Sequence, residues 1–154
     1  IESKIPFLGI CLGAQILAKY LGCDVIKNEE DLAEIGFYEV KPVGEGDNIF
    51  KAHNIFYQFH TEGFEIPNDC QLLARGDVFQ NQAFRYQNCY ALQFHPEVNF
   101  FVHLRWLLLI LIKKPKVLFI KGSQNLFYQL YFRFKYNKSV SNWLDSFLDN
   151  YLLS

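Results

Sequence analysis

Two short runs in this sequence of 154 residues contain side chains that could do covalent chemistry. The first is Gly9-Ile10-Cys11-Leu12-Gly13. A cysteine between two glycines, after an apolar run and before a run of helix formers, has the pattern of a nucleophile elbow at a strand-to-helix turn. Such a turn crowds the backbone on both sides of the nucleophile, so Gly9 and Gly13 are read as structural parts of the elbow. The sulfur would emerge at the carboxyl edge of a sheet, where the amides and dipole of a helix N-terminus stabilise negative charge. The amide of Leu12 would be placed to donate to an oxyanion. Taken alone, the pattern also fits a buried structural cysteine in a glycine-bearing turn.

The second run is Tyr90-Ala91-Leu92-Gln93-Phe94-His95-Pro96-Glu97. An apolar strand here ends in a histidine and a carboxylate two residues apart. Positions i and i+2 project to the same side of an extended chain, so Glu97 can reach the ring of His95. Pro96 restricts the turn between them. A base oriented by a carboxylate is what a cysteine nucleophile needs for proton transfer. Cys11, His95 and Glu97 are therefore the expected catalytic residues.

Both runs need a sheet to bring them together, and the pattern supplies one. Residues 5–10 read as a buried strand of a parallel sheet. Ala14, Ile16, Leu17, Ala18 and Leu21 follow as an amphipathic helix, with Gly22 where a helix C-terminal glycine belongs. Residues 36–42 alternate loosely as a strand, 54–62 read as strand then loop, and 72–74, 83–86 and 90–94 are further strands. A helix is expected from about residue 100 to 111. The fold class is α/β: a sheet flanked by helices, with antiparallel pieces on one side. Residues 107–134 fit neither a helical nor an alternating period. Beyond them Trp143, Leu144, Phe147, Leu148 and Tyr151 fall at helical spacing, with Ser141 or Asn142 as the cap.

Composition narrows the class. The chain is 51% apolar and 20% charged, and it is long enough for one core. A net charge of −1 argues against a nucleic-acid partner. Cys11, Cys23, Cys70 and Cys89 form no C-x-x-C pair, so no disulfide framework, metal or cofactor is expected, and a reducing cytoplasm is the natural setting. No signal peptide opens the chain. The longest apolar run, 107–112, is far short of the roughly 20 residues a span needs, which predicts a soluble protein with no membrane partner. His53 and His103 match nothing catalytic and are read as surface or satisfied positions. Cys23, Cys70 and Cys89 are read as small apolar residues.

The run from Pro6 to Gln15 and the block Gln93-Phe94-His95-Pro96-Glu97 resemble the two signature motifs of class I (triad-type) glutamine amidotransferases. The resemblance covers about residues 5–106. Free-standing members similar to the amidotransferase domain of GMP synthase look closest, through Phe59-His60-Thr61-Glu62-Gly63-Phe64 and Trp143-Leu144-Asp145-Ser146-Phe147-Leu148-Asp149. No ATP-pyrophosphatase region follows, so a complete GMP synthase is not expected. Related cysteine-elbow enzymes fit less well: intracellular peptidase relatives usually place histidine where Leu12 stands, and γ-glutamyl hydrolases share the cysteine and a downstream histidine, but the Gln93-to-Glu97 block and Gln15 favour the amidotransferases.

The resemblance implies a flavodoxin-like fold and glutamine as substrate. Cys11 would form a γ-glutamyl thioester, with His95 moving the protons and Glu97 orienting it. Gln15 would contact the substrate glutamine, with a polar position on an exposed helix face as the lesser alternative. His60, with Glu62, would line the pocket, and a solvated loop is the plain alternative. The resemblance also implies several strand–helix units before the elbow, including a second oxyanion donor, that this chain lacks. With no methionine in the sequence, the expectation is an N-terminally truncated domain over 1–106, impaired in activity. It would be a non-catalytic remnant, or one piece of a split enzyme with a separately encoded N-terminal half or a synthase partner. Family-like sequence stops near Trp106 and resumes near Lys135, as two compensating frameshifts would leave it. That sets an irregular apolar and aromatic segment over 107–134 before a C-terminal helix over 135–154.

Overall fold

The computed structural model describes residues 5–153, so the first four residues of the span 1–106 and the last of 135–154 lie outside the described residues. The chain opens with β1 (Phe7–Ile10) and α1 (Leu12–Tyr20), then β2 (Val25–Lys27), β3 (Glu34–Glu39) and β4 (Lys41–Pro42). A single helical turn, α2 (Gly46–Ile49), leads to β5 (Ile55–His60), β6 (Glu62–Phe64), β7 (Gln71–Arg75), β8 (Ala83–Tyr86) and β9 (Cys89–Leu92). Two long helices finish it: α3 (Phe100–Lys113) and α4 (Leu126–Phe147), separated by a 3-10 turn (Pro115–Phe119) and followed by a π-helical turn (Leu148–Leu152).

The main sheet has the order β1-β9-β8-β7-β4. β1 and β9 pair in parallel, and the remaining pairings are antiparallel. This is the α/β arrangement expected, with the antiparallel strands on one side of the parallel pair. Its central strand shows why the sequence reads as it does. Along β9 every residue is buried. Cys89 and Ala91 pack toward Ala14, Leu17 and Ala18 of α1, while Tyr90 and Leu92 pack toward Trp143 and Phe147 of α4. A strand covered by helices on both faces has no polar side to show, hence the continuous apolar run.

Two antiparallel ribbons stand beside the main sheet. In one, β3 pairs with β5 from Glu34↔His60 to Glu39↔Ile55. In the other, β2 pairs with β6, so the stretch after His60 is a strand, where a loop is expected from the sequence. Three-residue strands leave too short an alternation to read.

The segment without a sequence period, 107–134, contains the end of α3, the 3-10 turn and the first nine residues of α4. Its helices hide because large apolar side chains occupy their outer faces as well as their inner ones. Asn125 caps α4 by accepting from the Tyr128 amide at 3.0 Å, so Ser141 and Asn142, the expected caps, lie inside a helix that began well before them. The turn leading into α4 is fastened to β3. The side-chain amide of Gln124 accepts from the Phe37 amide at 2.9 Å and donates to the Phe37 carbonyl at 2.6 Å, as a neighbouring strand would. Gly36, at φ 132°, gives it room: a Cβ there would lie 2.5 Å from the Gln124 side-chain oxygen.

Candidate active site

Cys11 joins β1 to α1 with φ 48° and ψ −104°. A non-glycine residue in this region carries about 1–3 kcal/mol of strain and persists only when its surroundings hold it there. The Cys11 amide donates to the Leu92 carbonyl at 2.8 Å, which extends the β1–β9 pairing by one residue. Its own carbonyl accepts from the Gln15 amide at 3.1 Å, which starts the helix. The elbow is crowded on one side only. A Cβ on Gly9 would sit 2.6 Å from the Gly13 carbonyl oxygen, whereas one on Gly13 would meet no described atom within 4 Å. The expectation of a steric need for glycine holds at Gly9 and is corrected at Gly13. Leu12 is the first residue of α1, so its amide has no acceptor within the helix.

His95 follows β9, and its amide donates to the Tyr57 carbonyl at 2.8 Å, which ties it to β5. Its ring lies close enough to the Cys11 sulfur for the two to interact electrostatically. On the other side Nδ1 meets Glu97 Oε1 at 2.7 Å. Trp106 of α3 closes over the ring edge-on, with centroids 5.4 Å apart. Burial pushes the pKa of His95 down, but the Cys11 sulfur and the Glu97 carboxylate outweigh it and raise the pKa to about 9. The ring is therefore a proton carrier at neutral pH, held between a sulfur and a carboxylate. The structure thus brings Cys11, His95 and Glu97 into one chain of contacts.

Behind the nucleophile lies a buried polar network. Gln93 Nε2 donates toward Cys11 Sγ at 3.7 Å, and Gln93 Oε1 accepts from Gln15 Nε2 at 3.4 Å. The Gln15 amide also donates to the Glu62 carbonyl at 2.9 Å. That carbonyl meets His60 Nδ1 at 3.0 Å. His60 Nε2 faces Gln58 Oε1 at 2.9 Å and Glu34 Oε2 at 3.1 Å. Gln82 completes the set, accepting from Gln58 at 2.7 Å and donating to Glu34 at 2.8 Å.

Two sequence expectations change here. Gln15 is buried, not on an exposed helix face. His60 is buried with both ring nitrogens against protein acceptors, so it braces the site from inside and does not line a pocket wall. Gln58, Gln82, Gln93 and Glu34 were not expected from the sequence. A signal was present: Gln-Phe-His occurs twice, at 58–60 and 93–95, and each places two polar groups on the same side of a strand.

His103 is fully buried on α3, where its Nδ1 accepts from Arg133 Nε at 3.3 Å. Its Nε2 has no hydrogen-bond partner among the described residues, so it is neither a surface nor a satisfied position. Burial first, and Arg133 second, push its pKa down to about 4. His53 is half-buried, with Nε2 against the Ile55 carbonyl at 2.5 Å. Cys89 belongs to the core against α1, with Cys23 and Cys70 packed beside it.

Residues 1–103 match the family model for glutamine amidotransferase class-I. The chain is 36% identical over 103 residues to a GMP synthase (glutamine-hydrolyzing) subunit of Pyrococcus furiosus, covering 63% of this chain and 53% of that protein. It is 33% identical over 101 residues to the protein of the same name from Methanocaldococcus jannaschii, covering 64% and 54%. The chain thus spans about half the length of the curated relatives it matches. A crystal structure of a glutamine amidotransferase from Thermotoga maritima superposes with a TM-score of 0.86 at 29% identity, over 99% of this chain and 65% of that one. One from Methylobacillus flagellatus, at 21% identity and a TM-score of 0.82, shares the fold.

Proposed function

The chain belongs to the class-I glutamine amidotransferase family, and on that premise we propose that it releases ammonia from the side-chain amide of glutamine. Cys11 Sγ attacks the amide carbon, and the developing oxyanion is met by the Leu12 amide. As the C–N bond breaks, His95 gives its proton to the departing ammonia and leaves a γ-glutamyl thioester on Cys11. The neutral ring then takes a proton from water, whose oxygen attacks the thioester. Glutamate leaves, and the thiolate and protonated His95 are restored. Glu97 keeps the ring oriented throughout. Gln15 and His60 act from behind: through the Glu62 carbonyl and Gln93 they hold the elbow at the angle the attack needs. The single observation that carries this reading is His95 beside the Cys11 sulfur with its Nδ1 on Glu97 at 2.7 Å.

The relatives named as one subunit of a glutamine-hydrolyzing GMP synthase support a partner polypeptide that consumes the ammonia. A second reading, a piece that works only with a complementing polypeptide, is favoured by β1. Among the described residues this strand is at the edge of the main sheet, and Phe7, Ile16 and Tyr20 are exposed beside it.

Treatment with an electrophilic glutamine analogue, followed by peptide mass spectrometry, tests both readings. Burial raises the thiols of Cys23, Cys70 and Cys89, the second to about 11, so they are poor nucleophiles near neutral pH. Glutamine-protectable labelling of Cys11 alone, lost in Cys11→Ala, is the expected result. A folded chain that stays unlabelled removes the first reading and leaves the second.

A further inference from the structure

From residue 98 to residue 144 the sequence has eight Lys and Arg and no Asp or Glu, against seven and sixteen in the remainder. A chain of nearly zero net charge is therefore strongly divided. The same stretch holds α3, the 3-10 turn and most of α4, and it carries the most exposed large apolar side chains of the molecule. Phe101 is 80% exposed, Ile112 77%, Phe119 86%, Phe127 84% and Phe134 83%. Scattered single apolar residues are ordinary on a surface; a set this dense is not.

Helical spacing organises them. On α3, Phe101, Leu108 and Ile112 run along the side away from the buried His103, Leu107 and Ile110. On α4, Phe127, Tyr131 and Phe134 run along the side away from the buried Gln129 and Arg133. The two helices pack against each other. Between them Phe119 stands at the 3-10 turn, with Lys116 and Lys121 on either side in sequence. Lys121 pairs with Glu30, but among the described residues Arg105, Lys113, Lys114, Lys116, Lys135 and Lys138 are exposed and make no salt bridge.

We propose that this α3–α4 face is an interfacial binding surface for anionic lipid. Apolar rings and aliphatic chains flanked by unpaired lysines match a boundary where acyl chains meet acidic headgroups, and lysine stems extend to keep the charge at that level. A second copy is a poor occupant, because face-to-face pairing would bring two sets of unpaired cations together. Protein interface cores are depleted in lysine, which disfavours a protein partner. Nothing here requires a span. α3 is about 21 Å long, and no described helix is long and apolar enough to cross a membrane. The expectation of no membrane partner rested on spanning length, and lying on a surface does not depend on it.

The test is co-sedimentation of the whole chain with vesicles of phosphatidylcholine alone or with phosphatidylserine added. Binding to the anionic vesicles only is expected, weakening as salt is raised toward about 1 M. The triple substitution Lys113→Ala, Lys114→Ala and Lys116→Ala should weaken it by about a hundredfold, and Phe119→Ser by about tenfold. All four positions are exposed or on the surface turn, and circular dichroism would check that the variants fold. Equal binding to neutral vesicles, no sedimentation with either, or binding indifferent to the triple substitution overturns the proposal. So does capture by polyglutamate without capture by vesicles, which would assign the face to an acidic protein. A concentration-dependent dimer that hides the face would overturn it as well.

Discussion

The ribbons around β5 and the helix pair α3–α4 bury comparable numbers of polar side chains and treat them in opposite ways. Glu34, Gln58, His60 and Gln82 form a closed set of hydrogen bonds that reaches Cys11 through Glu62, Gln15 and Gln93. On the opposite face of the same β3–β5 ribbon His103, Gln129 and Arg133 are just as buried, yet His103 Nε2, Gln129 Oε1, Arg133 Nη2 and the Tyr57 hydroxyl have no hydrogen-bond partner among the described residues. Arg133 lies over the rings of Phe37 and Tyr57, at 4.9 and 5.6 Å, and makes no salt bridge among the described residues, although the Glu97 carboxylate is near enough to act on its charge. Burial lowers its pKa to about 10. A satisfied buried network fixes geometry, while a half-satisfied one costs stability. The first belongs to the residues that match the family model, which ends at 103; the second straddles that end, with Tyr57 and His103 inside it and Gln129 and Arg133 beyond. Helix pairs keep their fold under sequence change that a strand-end constellation would not tolerate.

Breaking the satisfied set should have the largest effect. Glu34→Ala removes one of the two buried acceptors that face His60 Nε2 and one of the two that face Gln82 Nε2, and should cost about 2–3 kcal/mol. The loss would be read as a fall in the urea midpoint with an unchanged slope. Reactivity of Cys11 toward the glutamine analogue should fall too, because the brace behind the elbow loosens. If Glu34→Ala costs no more than a surface substitution, the network is not what holds the site.

A smaller effect is expected at the triad. The folded pKa of His95 is about 9, above its ordinary value of 6.5. Its contribution to stability is therefore complete below about pH 6.5 and is lost as pH rises through about 9. Glu97→Gln should flatten that loss by on the order of 1–2 kcal/mol; Glu97 is 41% exposed, and solvent screens the pair. Urea midpoints of both proteins at pH 6, 8 and 10 would measure it. Parallel curves would mean that Glu97 does not hold the imidazolium. The unsatisfied set should respond with the opposite sign: Arg133→Leu removes a buried cation that makes no salt bridge among the described residues and should raise stability by about 1 kcal/mol. Destabilisation instead would show that the stacking on Phe37 and Tyr57 outweighs desolvation.

How much of this could be read beforehand follows from range. The elbow at Cys11 and the His95–Glu97 pair are local patterns, each within eight residues, and their spacing carries their chemistry. The bracing role of His60 could not be read that way, because Glu34 and Gln82 meet it only through strand pairing and a loop. α3 was legible almost to its end, but the start of α4 was not, for another reason. Periodicity is a contrast between two faces, and Phe127, Tyr131 and Phe134 remove it by being apolar outside. Gly13 misled because its motif partner Gly9 has a steric reason that it lacks.

The smallest effect separates the two ends of α4 itself. Its C-terminal half packs Val140, Trp143 and Phe147 into the main core, where Trp143 stacks on Phe50 at 5.5 Å and donates to the Ile49 carbonyl at 2.8 Å. Its N-terminal half has Gln129 and Arg133 inward, exposed rings outward, and the Asn125 cap. The amides of 130–134 should therefore exchange with solvent faster than those of 140–147, by opening locally without global unfolding. Asn125→Ala removes about 1 kcal/mol of capping. That should speed exchange in the first half about fivefold, and the same loss should appear as a small fall in the urea midpoint. Equal exchange rates along the whole helix in the unsubstituted chain would mean that α4 opens as one unit, and that the poorly satisfied polar cluster is not a weak point in it.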